Sequence, residues 1–356
     1  MPKQNFFVNE DELDDYQVQV QMRKIDRSMI VSGCAGSGKS ILALWKANDI
    51  SKLQANQTFI FIVFTKALIK FMKDGIKYIN ETKKIGEPKL EENNFVYYED
   101  WKRKGCPSAD FIIVDEVQDF TREEISQFKK ATKKAFFFWG DTAQSIYPKK
   151  KGIPTQDLLS IASEAGILPE LLALNHRLKR KVARLAAFLT SDDELVNRCR
   201  KEGTALPWIL RYKTLEEQLD TAMQQIKNRQ ITDAAILFPT NPMVIKAYEY
   251  LKKKGHSVEA KFDDKQDFSN SKLDLNFDSD NPKLMTYHSA KGLQFEAVFL
   301  PECDLPEVMG VKPLYVATTR TYEYLYIMYS NKLSRFFDAV PNNLYSTSLE
   351  EARIEL

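Results

Sequence analysis

The chain alternates short apolar runs with amphipathic stretches over most of its length. The runs SMIVSG (28–33), FIFIVFT (59–65), NFVYY (94–98), FIIVD (111–115) and AFFFWG (135–140) carry few polar interruptions. A second series follows in AAILFP (234–239), KLMTYH (283–288), AVFLPE (297–302) and LYIMYS (325–330). Between them lie segments with helical spacing of apolar positions, such as KSILALWKANDISKL (39–53) and PMVIKAYEYLKKKG (242–255). Strands with apolar residues on both faces, separated by helix-length segments, predict parallel sheets covered by helices on both sides. The series occurs twice, with a helical break around residues 156–190. The pattern predicts an α/β protein of two domains, 1–171 and 172–356, with a polar, loop-rich excursion at 262–282 inside the second.

Composition narrows this picture only slightly. With 356 residues, 44% hydrophobic and 28% charged, the chain can bury an ordinary core, and its length fits about two domains of roughly 150 residues. Lys and Arg number 51 against 49 Asp and Glu, a net of +2. That balance does not single out nucleic acid and weighs against an anionic membrane as partner, so any basic groove is local. Cys34, Cys106, Cys199 and Cys303 stand singly, with no CxxC pair, which fits a reducing compartment rather than a disulfide framework, zinc ribbon or iron–sulfur cluster. The acidic start MPKQNFFVNEDELDD lacks the apolar region of a signal peptide. No apolar run approaches the ~20 residues that span a bilayer. A cytoplasmic protein is the expectation.

FIIVDEVQDF (111–120) ends an apolar strand in three carboxylates within five positions. A helix N-cap accounts for one such acid, not three, and no His or Cys flanks them. The stretch calls for a cation. GCAGSGKS, Gly33 to Ser40, matches GxxxxGK[ST] between a predicted strand and a predicted helix. In that setting the backbone of Gly33, Cys34, Ala35, Gly36, Ser37 and Gly38 wraps phosphate oxygens, with N–H groups and the helix N-terminus facing the anion. Lys39 reaches the β- and γ-phosphates and the Ser40 hydroxyl ligates Mg²⁺; the bland alternative is a Gly-rich turn before a helix. A P-loop needs a second carboxylate on the Mg²⁺ side at the end of a neighbouring strand, and Asp115 is placed for it. Glu116 then polarises the attacking water. ATP and Mg²⁺ are the expected cofactors.

DEVQD is followed in order by GDTAQSIY (140–147), LNHRL (174–178), MTYHSAKGLQF (285–295) and YVATTR (315–320). With the P-loop and FTKALIKF (64–71), this series resembles the UvrD/Rep-like branch of superfamily 1 helicases over about residues 17–330. The resemblance implies two RecA-like P-loop NTPase domains and a nucleic-acid-dependent ATPase that translocates on single-stranded DNA, 3′ to 5′. It gives Gln144 the task of sensing the γ-phosphate or attacking water, and makes Arg177 and Arg320 arginine fingers from the second domain. ATP then acts as a clamp between the domains. It likens Gln17 to an adenine-reading glutamine and puts His176 where the family has a tyrosine stacked on adenine. Gln294 replaces the glutamate of KGLEF that is associated with the ribose. Along a nucleic-acid groove it places Phe64, Thr65, Lys66, Tyr147, His288 and Lys291, aromatic faces for bases and cations for phosphates. Phe64 also reads as the end of a core strand, and Lys291 as a solvated charge.

Two departures stand out. PKKKG follows QSIY where the family has GWRG, so Lys149 and Lys150 replace a base-stacking tryptophan and an arginine. The intervals from FTK to DEVQD and from AAILFPTN to MTYH are too short for the family's two large insertions. The chain looks like a minimal two-domain motor. The rival is a switch that senses ATP and nucleic acid and regulates a partner such as a nuclease. A P-loop kinase would not need the ordered second-domain motifs.

Overall fold

The computed structural model describes residues 12–53, 57–141, 149–150, 153–190, 192, 194–262, 275–304 and 310–349. They separate into two compact units divided between Asn175 and His176. Gln144 and Tyr147 lie outside the described residues, as do the side chains of Lys66, Lys149 and Lys150.

The first unit runs α1 (Asp15–Gln21), β1 (Met29–Gly33), α2 (Lys39–Ser51), β2 (Phe59–Val63), α3 (Lys66–Thr82), β3 (Phe95–Tyr97) and α4 (Tyr98–Arg103). It continues with β4 (Ala109–Val114), α5 (Arg122–Ala131), β5 (Thr132–Gly140), the hairpin β6 (Lys149–Lys150) and β7 (Ile153–Pro154), α6 (Leu158–Ala165) and β8 (Glu170–Leu172). Six strands form a parallel sheet in the order β3-β2-β4-β5-β1-β8. Alternation along each strand feeds two cores. Val31, Phe61, Ile113 and Phe137 pack with α2 and α3 on one face, and Ile30, Ile62, Ile112 and Phe138 pack with Trp101, Phe120 and Phe128 on the other. Helix starts are set locally. Thr121 and Glu124 form a reciprocal capping box at α5, and the Thr65 hydroxyl accepts from Leu68 N–H at α3, each satisfying an orphan donor of the first turn.

The second unit contains β9 (Asn175–Lys179, beginning one residue before the division), α7 (Arg180–Thr190), α8 (Glu194–Arg198), β10 (Cys199–Lys201), β11 (Trp208–Arg211), α9 (Leu215–Asn228) and β12 (Ala234–Phe238). After these come α10 (Asn241–Lys253), β13 (Glu259–Ala260), β14 (Lys283–Thr286), β15 (Phe295–Leu300), α11 (Val311–Thr318) and β16 (Thr321–Tyr329). Its sheet is also parallel, in the order β11-β16-β15-β12-β14-β13, while β9 pairs with β10. Trp208, Tyr326 and Phe299 stack ring on ring across three adjacent strands, with centroids 4.5 Å apart at each step, beneath Leu219, Ala222, Val244 and Leu251 of α9 and α10.

All nine predicted strands are present, with ends shifted by a few residues. Two expectations need correction. The break at 156–190 is not purely helical, because β8 and β9 lie inside it. Asp115 does not end a strand adjacent to the P-loop strand: β5 lies between β1 and β4. The carboxyl end of β5 is thereby inserted into the site.

Candidate nucleotide site

The loop after β1 is shaped by its glycines. Gly36 and Gly38 have φ of 78° and 88°, a region that a side chain makes costly. A Cβ on Gly38 would also lie 2.5 Å from Gln17 Nε2. Lys39, at the start of α2, folds back over the loop, its Nζ donating to the carbonyls of Gly33 at 2.7 Å and Cys34 at 3.0 Å. The ammonium is thus held directly over the cradle by weak neutral acceptors, which a phosphate can displace.

Ser40 Oγ donates to Asp115 Oδ2 at 2.6 Å. Asp115 is fully buried and Glu116 is 6% exposed. Glu116 takes a left-handed backbone conformation, φ 56° and ψ 42°, uncommon for a residue with a side chain; it turns the chain sharply off β4. Its N–H donates to Asp115 Oδ1 at 3.0 Å. Burial, and then the charge of Glu116, push the Asp115 carboxyl up to about 7, against the opposing pull of the Ser40 hydroxyl, Lys39 and the Glu116 N–H. A carboxylate driven toward protonation despite Lys39 has too little positive charge beside it, and a divalent cation would supply it. Among the described residues no group of three or more His, Cys, Asp or Glu gathers as a metal site. One hydroxyl and one carboxylate suit Mg²⁺, which takes its other ligands from waters and phosphates.

Sequence reasoning gave no role to Gln118, yet it joins the two halves of the site. Its Nε2 donates to Glu116 Oε2 at 2.5 Å, and its Oε1 accepts from Asp141 N–H at 3.0 Å. Hydrogen bonds therefore run without a gap from Ser40 through Asp115, Glu116 and Gln118 to Asp141, where the GDTAQ motif begins. Gly140 makes this possible, since a Cβ there would lie 2.5 Å from Gln118 Oε1. The glutamine of DEVQD was the available signal. The third acid, Asp119, is fully buried at the end of a 3₁₀ turn, Val117–Asp119.

Gln17 lies against the loop, its Nε2 donating to Ser37 O at 3.1 Å. Its Oε1 accepts from Asp14 N–H at 3.1 Å, closing the capping box of α1. Both ends of the amide are therefore engaged. In the second unit, Arg177 on β9 donates from Nε to Gln294 Oε1 at 2.8 Å and from Nη1 to Thr319 O at 3.4 Å. Arg320 is only 1% exposed, and its guanidinium donates to Val316 O, Leu293 O and Thr319 Oγ1. His176 is half-buried on the same strand as Arg177.

The nucleic-acid candidates are less uniform. Phe64 is half-buried, edge-on to Phe120 at 5.1 Å, and Thr65 caps α3. His288 is half-buried, whereas Lys291 retains only 2% exposure. That burial goes against the alternative of Lys291 as a solvated charge, since the side chain is withdrawn from the surface in the turns after β14.

A phosphate loop between strand and helix, beside a buried Asp–Glu pair on a parallel sheet, defines a P-loop NTPase domain of RecA-like fold, and a second parallel α/β domain follows it. Comparison with known families matches an AAA domain over residues 17–150 and a UvrD-like helicase C-terminal domain over residues 283–328. The two matches, in the order of the motifs, support a UvrD-like helicase and indicate a superfamily 1 helicase-type ATPase. Among solved structures, the C-terminal domain of a possible DNA helicase from Lactobacillus plantarum WCFS1 is similar at 20% identity and a TM-score of 0.37, covering 48% of this chain and 98% of its own. No curated protein sequence matches. Among the described residues, no helix is long and apolar enough to cross a membrane.

Proposed function

We propose that the chain hydrolyses ATP with Mg²⁺ and uses the cycle to translocate 3′ to 5′ on single-stranded DNA. The observation that carries the ATPase reading is the unbroken hydrogen-bond chain from Ser40 to Asp141 at the mouth of the phosphate loop. Loop N–H groups and Lys39 hold the β- and γ-phosphates. Ser40 and Asp115 would hold Mg²⁺, which when bound would supply positive charge to the phosphoryl oxygens. Glu116, aimed by Gln118, accepts the proton of the attacking water. Gln144 senses that water or the γ-phosphate, and Arg177 and Arg320 stabilise the charge that develops on the transferred group. Gln17 reads adenine by exchanging its bond to Ser37 for one to the base, and His176 stacks on it.

Phe64, Thr65, Lys66, Tyr147, Lys149, Lys150 and His288 line the strand's path, as stacking faces and phosphate cations. Lys291, though only 2% exposed, joins them as a phosphate cation, just as the equally buried Arg320 is kept for the phosphoryl group. The domain similarities support nucleic acid as the polymer; the choice of DNA over RNA is part of the proposal. The interval between β2 and β4 contains α3, a 3₁₀ turn at Glu92–Asn94, β3, α4 and their connections. That economy favours a motor that works with a protein partner such as a nuclease, and gives weight to the switch reading. The deciding measurement is phosphate release by the purified protein with no polymer, single-stranded DNA, duplex DNA and RNA. Strongest stimulation by single-stranded DNA supports the proposal; turnover indifferent to every polymer overturns it.

A further inference from the structure

The two arginines of the second unit share one hydrogen-bonded frame. Three consecutive residues divide their contacts between the two. Leu293 O accepts from Arg320 Nη1 at 3.3 Å, Gln294 Oε1 accepts from Arg177 Nε at 2.8 Å, and Phe295 N–H donates to Arg320 O at 2.9 Å. Thr319 closes the frame from the other side. Its carbonyl accepts from Arg177 at 3.4 Å, and its hydroxyl accepts from Arg320 Nη2 at 3.2 Å while donating to Val316 O at 3.0 Å. Arg320 is fixed by burial. Arg177, half-buried at the unit's first strand, is fixed by Gln294 and Thr319.

We propose that Gln294 is a positioning residue for Arg177: a neutral tether that aims the guanidinium without neutralising it. The inference rests on the reading that Arg177 acts on the transferred phosphoryl group. An amide oxygen accepts the Nε–H and leaves the guanidinium charge whole. A carboxylate at the same place would form a charge-assisted, bidentate pair, roughly twice as strong as a neutral hydrogen bond. It would compete with phosphate for the same donors. Orientation is what such a tether supplies, since small displacements of a catalytic group are costly in rate. The side chain therefore acts through Arg177, and its carbonyl is committed there rather than to the sugar of the nucleotide.

The test uses Gln294→Glu and Gln294→Met in the full chain, alone and combined with Arg177→Ala, with melting curves to establish that each variant folds. Both single variants should lower kcat by roughly ten- to a hundredfold, part of the ~10³–10⁵ that a whole arginine finger contributes. KM for ATP, and the ratio of ATP to 2′-deoxy-ATP turnover, should stay near wild type. On the Arg177→Ala background neither change should lower kcat further. Hydrogen exchange at the Arg177 Nε–H, followed by NMR without nucleotide, should be slow in the wild type and fast in Gln294→Met. Wild-type kcat in Gln294→Glu, or an effect confined to KM and sugar discrimination, overturns the proposal. So does equal exchange in wild type and Gln294→Met, a result that does not depend on hydrolysis. If Arg177→Ala itself turns over like wild type, the finger assignment fails, and the tether with it; the exchange measurement then separates that failure from loss of the contact.

Discussion

The Ser40 hydroxyl donates to Asp115 Oδ2 at 2.6 Å, joining two residues 75 apart in the chain. One begins the helix after the phosphate loop and the other follows β4, so the contact exists only because the sheet brings both strand ends to one edge. Its geometry sets the order of importance among the neighbouring side chains.

Lys39→Ala should abolish phosphate release, because nothing else on the loop carries a full positive charge to the γ-phosphate. The melting temperature should change little, since Lys39 bonds only carbonyls of its own loop. Hydrolysis at the wild-type rate would remove the phosphate-loop assignment.

Glu116→Gln keeps the hydrogen-bonding shape but loses the base, so ATP should bind while turnover falls by about 10²–10⁴. Gln118→Leu removes the hydrogen bonds to Glu116 Oε2 and Asp141 N–H, and should lower kcat while costing about 1–3 kcal/mol of stability. ATP binding by titration calorimetry, beside single-turnover hydrolysis, checks both. Normal turnover in Gln118→Leu would show that Glu116 needs no such orientation.

Gly140→Ala tests the close approach of β5 to the DEVQD turn. The new methyl would meet Gln118 Oε1, Leu158 and Val117 at 2.5–3.1 Å, an overpacking that typically costs about 1–3 kcal/mol. Denaturant unfolding should show that loss, together with reduced kcat. Unchanged stability would mean that the turn moves freely.

Arg177→Ala and Arg320→Ala should each cut kcat by roughly 10³–10⁵ but differ in stability. Arg320 is buried and serves three acceptors of its own unit, so its removal should lower the melting temperature. Arg177 is half-buried, and its loss should leave melting nearly unchanged. Equal destabilisation by both would contradict the different burial of the two side chains.

Binding that leans on Lys149 and Lys150 should be strongly salt-dependent. Each phosphate contact contributes about −0.7 to the log–log salt slope on a single strand, so replacing both lysines by Ala should flatten the slope by roughly 1.4. The isolated chain should hydrolyse ATP far better than it displaces a strand from a tailed duplex. Processive unwinding of long duplex by the chain alone would count against dependence on a partner.

Much of this was legible in the chain. Apolar runs such as FIFIVFT and AFFFWG announce strands buried on both faces, because a parallel sheet covered by helices leaves no polar side. GCAGSGKS and DEVQD carry their chemistry in local spacing, as the backbone that wraps a phosphate and the turn that follows a strand are built from neighbouring residues. Helix α9 carries comparable signals, with Thr214 accepting from Glu217 N–H and Leu215, Leu219, Ala222 and Ile226 on its buried face, but its many charged and amide residues hid them in the sequence. The short strands β8 and β11 have too few residues for a period to show.

What the sequence could not decide are relationships between distant segments. Strand order is a choice among packings of similar apolar faces, so the insertion of β5 between β1 and β4 appears only in the assembled sheet. The role of Gln118 depends on that insertion, because Asp141 reaches it only from the end of β5. The glutamine at 294, where the family has a glutamate, is plain in the sequence, but its meaning depends on Arg177, 117 positions earlier in the chain, lying 2.8 Å away. Burial of Lys291 and Arg320 is likewise a property of the folded unit. Residue type sets which interactions a side chain can make, and the tertiary fold selects among them by fixing distance and access to water.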